Sequence, residues 1–226
     1  MRADTTTMTT DTVAMLRLLA WLSPAFPTGG FAYSHGLEWA VEAGDVRDEA
    51  TLLAWLADVL AHGSGRSDAI LLRHARRADA AELPALAAFG AAAAGSRERR
   101  AETLGQGEAF ARAALAWGSP RLALLDGPLP YPVAVGALAA DHGIGEEAVT
   151  SAYLQAVATN LISAGVRLVP LGQSAGLRVL AALEETIRAV AEATRGAALE
   201  EIGSACFRSD IAAMRHETQH TRLFRS

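Results

Sequence analysis

The sequence predicts an all-α protein, a single-domain helical bundle of about eight to ten helices. Three observations predict it. Apolar residues recur at three- and four-residue intervals, as in Leu52, Leu53, Leu56, Val59 and Leu60. Most prolines, and the glycines with the clearest stop positions, fall between those stretches. The one plausible strand, Val166 to Leu171, contains Pro170, and proline is confined to edges and ends of sheets. With 226 residues and 51% hydrophobic composition, the chain can bury one substantial core.

The elements follow in order. Residues 1–11 are threonine-rich, lack the apolar run of a signal peptide and read as a disordered lead-in. Asp11 or Thr12 caps a helix over 13–22, which ends at Ser23-Pro24 because proline disfavours helix in the residue before it. After a Pro/Gly turn, helix resumes near Phe31 and runs to Ala43, with Gly44 as its stop. Asp48 caps 49–62, which Gly63 and Gly65 end. Ser67 opens 68–78, and Pro84 occupies the first turn of 83–94. Ser96 caps a longer helix that ends at Trp117-Gly118. Pro120, Pro128, Pro130 and Pro132 make 118–132 a loop. Helices then fill 133–142, 146–168 and 173–195, separated by Gly143, Gly145 and Gly172 and closed by Gly196. The domain proper spans 12–206, and 207–226 forms a partner-docking tail. No internal repeat of fixed period is visible.

Composition narrows the function. A net charge of −5 gives no electrostatic footprint for a phosphate backbone, so no nucleic acid is expected. The clusters Arg73/Arg76/Arg77 and Arg97/Arg99/Arg100 lie beside acidic residues and read as solvated helix faces. All 20 basic residues are arginine, which removes phosphate-loop lysine and Schiff-base chemistry. Cys206 stands alone, so there is no disulfide framework or paired-cysteine metal knuckle, and a reducing, cytoplasmic setting fits. No apolar run reaches the roughly 18 residues of a membrane span.

Two strings imitate enzyme motifs. His216-Glu217-Thr218-Gln219-His220 would place two histidines four apart on a helix, as in zinc proteases. Catalytic zinc needs a third protein ligand, and none of the six residues after His220 is His, Asp, Glu or Cys. Gly172-Gln173-Ser174-Ala175-Gly176 matches a nucleophile elbow, and Ser174, Asp210 and His216 fall in the chain order of a hydrolase triad. That elbow needs a parallel sheet, where this chain has helices. A serine hydrolase using Ser174 stands as the alternative; no catalytic residue, cofactor or metal site is expected.

The segment Ser23 to Glu38 is different in kind. Two prolines fix φ and two adjacent glycines permit angles that other residues avoid, so the turn has a rigid shape. It carries Phe26, Phe31, Tyr33 and His35, which either tuck inward or form a partner-facing surface. In 207–226, Phe207, Ile211, Met214 and Thr218 form one helical stripe, followed by Thr221 to Ser226. So much apolar character must dock on the protein's own core or on a partner.

With both segments in hand, the chain resembles the UreF family of urease accessory proteins. The resemblance rests on Ser23-Pro24-x-Phe26-Pro27-x-Gly29-x-Phe31-x-Tyr33-Ser34-x-Gly36-Leu37-Glu38, on Val169-Pro170-Leu171-Gly172-Gln173, and on Ser209-Asp210-Ile211-x-x-Met214-x-His216-Glu217 with Thr221-Arg222-Leu223-Phe224-x-Ser226. Three matches in the right order cover nearly the whole chain; Thr28 departs from a usually bulkier apolar residue. The resemblance implies a non-enzymatic, all-helical chaperone that dimerises and assembles with UreD (UreH in some species) and the GTPase UreG. That assembly delivers nickel into apo-urease, with a regulating effect on GTP hydrolysis. Carried over by motif, Phe31, Tyr33, Ser34, His35 and Glu38 would serve the GTPase side. Arg215, His216, Glu217, Arg222, Leu223 and Phe224 would serve the UreD side.

Overall fold

A computed structural model describes residues 5–226. Among the described residues it contains eleven α-helices and no strand. They are α1 Thr5–Trp21, α2 Leu37–Glu42, α3 Glu49–His62, α4 Ser64–Arg77, α5 Leu83–Ala92 and α6 Arg97–Ala114. After these come the single turn α7 Pro120–Ala123, α8 Tyr131–Asp141, α9 Glu146–Leu168, α10 Gln173–Ala193 and α11 Phe207–His216. No helix among the described residues is long and apolar enough to cross a membrane.

The all-α expectation holds, and its departures have local causes. The first helix begins at Thr5, ahead of the expected start at Val13. Helical backbone therefore covers 5–11, which was expected to be disordered, and residues 1–4 lie outside the described residues. Helix α4 begins at Ser64 rather than near Asp68, with Gly63 as its N-cap. In α3 the expected cap forms: the Asp48 carboxylate accepts from Thr51 N at 2.8 Å and Thr51 Oγ1 accepts from Asp48 N at 3.0 Å. The Val166–Leu171 run is the end of α9 followed by a turn at Pro170.

Helix α8 is apolar all round, and every residue from Tyr131 to Ala139 is buried, so it forms the axis of the bundle. Helices α4 and α6 flank it. They approach closely because glycines face backbone: a Cβ on Gly136 would lie 2.4 Å from Leu72 O, and one on Gly107 1.9 Å from Leu129 O. A second apolar cluster joins α3, α9, α10 and α2, and the 23-residue α9 borders both clusters.

The expectation that the arginine clusters are solvated faces is corrected at Arg73, and below at Arg99. Arg73 is buried, 1% exposed, not part of a solvated face. Its guanidinium donates to Glu146 Oε1 at 2.5 Å, Glu147 Oε2 at 3.1 Å, Thr194 Oγ1 at 3.2 Å and Ala191 O at 2.5 Å. It thereby fastens α4 to α9 and α10. Arg73→Ala leaves the Ala191 carbonyl and Thr194 without that donor and weakens the hold on Glu146. It should cost about 3–5 kcal/mol, measured by urea unfolding.

Candidate functional site

The segment Ser23 to Glu38 does not continue as one helix. Gly29 at φ 73° opens a 3-10 turn over Gly30–Ala32, and Tyr33 is extended. His35 at φ 61° and Gly36 at φ 77° then reverse the chain before α2. At Gly36 only glycine fits, since a Cβ would lie 2.6 Å from Ala213 N. That close approach seats α11 against the start of α2. Phe26 is half-buried, its ring 5.3 Å from that of Phe110 and 5.9 Å from that of Trp117.

Helix α11 turns Ser209, Ala212, Ala213 and His216 inward. His216 is 0% exposed. Its Nδ1 lies 2.6 Å from Glu98 Oε2 on α6, and its Nε2 lies 3.1 Å from Glu38 Oε2 on α2. The chain then doubles back over these carboxylates. Leu223 N donates to Glu38 Oε1 at 2.7 Å, Phe224 N donates to Glu38 Oε2 at 3.0 Å, and Arg222 donates to Glu98 Oε1 at 2.8 Å. Beyond them, Arg225 N donates to Ala32 O at 2.8 Å and Ser34 N donates to Ser226 O at 2.7 Å. The Ser34 hydroxyl donates to the same carbonyl, and Ser226 Oγ donates to Glu102 Oε2 at 2.7 Å. Phe224 is buried beneath Arg167, whose guanidinium carbon sits 4.4 Å from the ring centroid. Arg167 also donates to Phe31 O at 2.8 Å. The motif segment and the tail, far apart in sequence, are one structure.

Beneath lies a charged layer. Burial alone would raise the Glu102 carboxyl, but Arg99, 2.6 Å away, and then His35 hold it well below the usual carboxylate range. Burial and the charge of Arg99 depress His35, whose Nε2 lies 2.6 Å from Ser64 Oγ. Burial raises Asp68 against the pull of Arg99 and the hydrogen bond donated by Tyr153 at 2.8 Å. A cavity of about 500 Å³ under the Pro24–Gly30 turn and one of about 140 Å³ behind it share His35, Asp68, Arg99 and Thr103 as walls.

The expected site residues divide by exposure. Phe31 is 70% and Leu223 78% exposed. Arg215 and Arg222 also face solvent, and Glu217 is half-buried with its carboxylate 3.5 Å from Arg97. Tyr33, Ser34, His35, Glu38, His216 and Phe224 are interior: they hold the fold rather than present a surface. The stripe of Phe207, Ile211 and Met214 is exposed. Sequence reasoning missed Glu98, Glu102 and Arg167, and it placed Arg99 on a solvated face, whereas its side chain is largely buried against Glu102. The four-residue spacing of Glu98 and Glu102 on the same helix as buried Gln106 and Phe110 was the available signal.

Both enzyme-like strings dissolve. Helix α11 ends at His216, so His216 is buried and His220 exposed, and they share no helical face. Among the described residues no group of three or more His, Cys, Asp or Glu could hold a metal ion. Ser174 is exposed at the start of α10, while both nitrogens of His216 face carboxylates on α2 and α6.

Comparison with known proteins adds an independent line. The family model UreF matches residues 46–184. The chain is 54% identical to the urease accessory protein UreF of Bradyrhizobium sp. strain BTAi1, over 96% of this chain and 93% of that protein. It is 52% identical to the protein of the same name from Methylorubrum populi, over 93% and 98%. A third, from Rhodopseudomonas palustris strain TIE-1, is 51% identical over 96% and 94%.

Glu38→Ala leaves His216 and two tail amides without their acceptor. It should cost about 3–5 kcal/mol in urea unfolding and abolish hydrogen-exchange protection at Leu223 and Phe224, with helical circular dichroism retained.

Proposed function

The chain belongs to the UreF family of urease accessory proteins, and on that footing we propose that it is a non-enzymatic assembly factor joining UreD (UreH) and the GTPase UreG to deliver nickel into apo-urease. Nickel in this reading is cargo, not a resident cofactor. The proposal includes a homodimer within the complex, a cytoplasmic setting and a regulating effect on GTP hydrolysis by UreG.

The observation that carries the reading is the joining of the family's two most distant motifs by buried carboxylates. The burial leaves Phe31 and Leu223 as large apolar side chains facing outward. Rigid, outward apolar anchors on a hydrogen-bonded base are what protein interfaces use. The engagement of His216 by Glu38 and Glu98 favours the assembly role over hydrolysis at Ser174. Within the motif segment, Phe31 is the residue we assign to the GTPase side. In the tail, Arg215, Arg222 and Leu223 are assigned to the UreD side.

Co-expression with UreD and UreG tests this directly. Phe31→Ala should weaken capture of UreG by about 1–4 kcal/mol while leaving UreD bound. Leu223→Asp should reduce UreD capture, and Ser174→Ala should change neither. Loss of urease maturation in Ser174→Ala, with both partners still captured, would move the reading toward hydrolase chemistry.

A further inference from the structure

The smaller cavity, of about 140 Å³, is walled by unlike charges whose hydrogen-bonding capacity the fold leaves unused. Arg99 lines it from α6. Its Nη1 lies 2.6 Å from Glu102 Oε2 but out of line for a hydrogen bond, and among the described residues no acceptor meets Nε or Nη2. Asp68 lines the cavity from α4. Its Oδ2 accepts from Tyr153 at 2.8 Å, while Oδ1 has no donor among the described residues. Asp210 on α11 stands at the mouth, its Oδ1 3.7 Å from where a Cβ on Gly95 would lie, and it too lacks a donor. His35 is already engaged by Ser64 and Glu102. Leu71, Ala94 and Ala213 supply apolar wall, and exposed Gly95, Gly203 and Ser204 form the opening.

These walls select the charge pattern of a ligand. A small anion would suit Arg99 but oppose Asp68 and Asp210, and a small cation would do the reverse. A zwitterion satisfies both sides and adds no net charge to a buried site. A carboxylate can take two parallel N–H bonds from the free edge of a guanidinium, and an ammonium has three donors for carboxylate oxygens. Size narrows the class further: a cavity of about 150 Å³ holds benzene, which has as many heavy atoms as alanine. We propose that this cavity binds a free α-amino acid with a small side chain, its carboxylate on Arg99 and its ammonium on Asp68, with Asp210 at the entrance. The bound amino acid bridges α4, α6 and α11. The site goes beyond the assembly reading and uses neither Phe31 nor Leu223.

The test is a titration of the full chain with glycine or L-alanine, followed through backbone amide shifts. Each should bind saturably and move the amides of Gly95, Thr103 and Gly203. Acetate and methylammonium, which each carry one of the two charges, should bind more weakly by about tenfold or more. Asp68→Asn keeps an acceptor for Tyr153 and should weaken glycine binding by about tenfold or more. Gly95→Leu, whose Cβ meets only Asp210 at 3.7 Å, blocks the mouth while leaving Arg99 and Asp68 in place, and should abolish binding. No saturable binding of either amino acid by about 10 mM would overturn the proposal. Acetate or methylammonium matching glycine, shifts confined to other residues, or undiminished affinity in Asp68→Asn or Gly95→Leu would each do the same.

Discussion

The interaction on which the rest depends is the pairing of buried polar groups across three elements: His216 on α11 between the carboxylates of Glu38 on α2 and Glu98 on α6. None of the three is tolerable alone in an interior, because a buried polar or charged group without a partner costs several kcal/mol. Together they require α2, α6 and α11 to meet in one geometry. The same carboxylates then order a tail that has little secondary structure of its own. Glu38 takes two of its amides and Glu98 takes Arg222. Arg73 plays the equivalent part on α4, fastening it to α9 and α10. Apolar burial supplies the drive to collapse, and these pairings decide which collapsed arrangement forms.

This division explains what was legible in the sequence. Helices with apolar periodicity and a side-chain cap or a proline boundary could be read almost to the residue, as for α3 behind Asp48 and α9 before Pro170. The break between Ala32 and Leu37 could not. It depends on His35 adopting a left-handed angle so that Gly36 can approach Ala213, a residue far away in sequence. The start of α4 lies earlier than expected for a related reason: Gly63 closes α3 as expected and is also the N-cap of α4.

The site was legible as a set of motifs but not as a geometry. Phe31 and Leu223 were named for partners and do face outward, whereas Tyr33, Ser34, His35, Glu38, His216 and Phe224 turn inward. A motif cannot distinguish a residue that touches a partner from one that holds the touching residue in place. Charge patterning misled in the same way. Arg73 and Glu98 sit in runs that look solvated, and only the packing of segments distant in sequence shows that each is buried with a counter-charge.

The most direct measurement is a double-mutant cycle between Glu38→Gln and His216→Gln, read by urea unfolding of the single and double variants. If this buried polar pairing organises the meeting of α2, α6 and α11, the two changes will be strongly non-additive, with a coupling of about 2–3 kcal/mol. Additive effects within about 0.5 kcal/mol would show that motif segment and tail are held by packing alone, and would contradict the account.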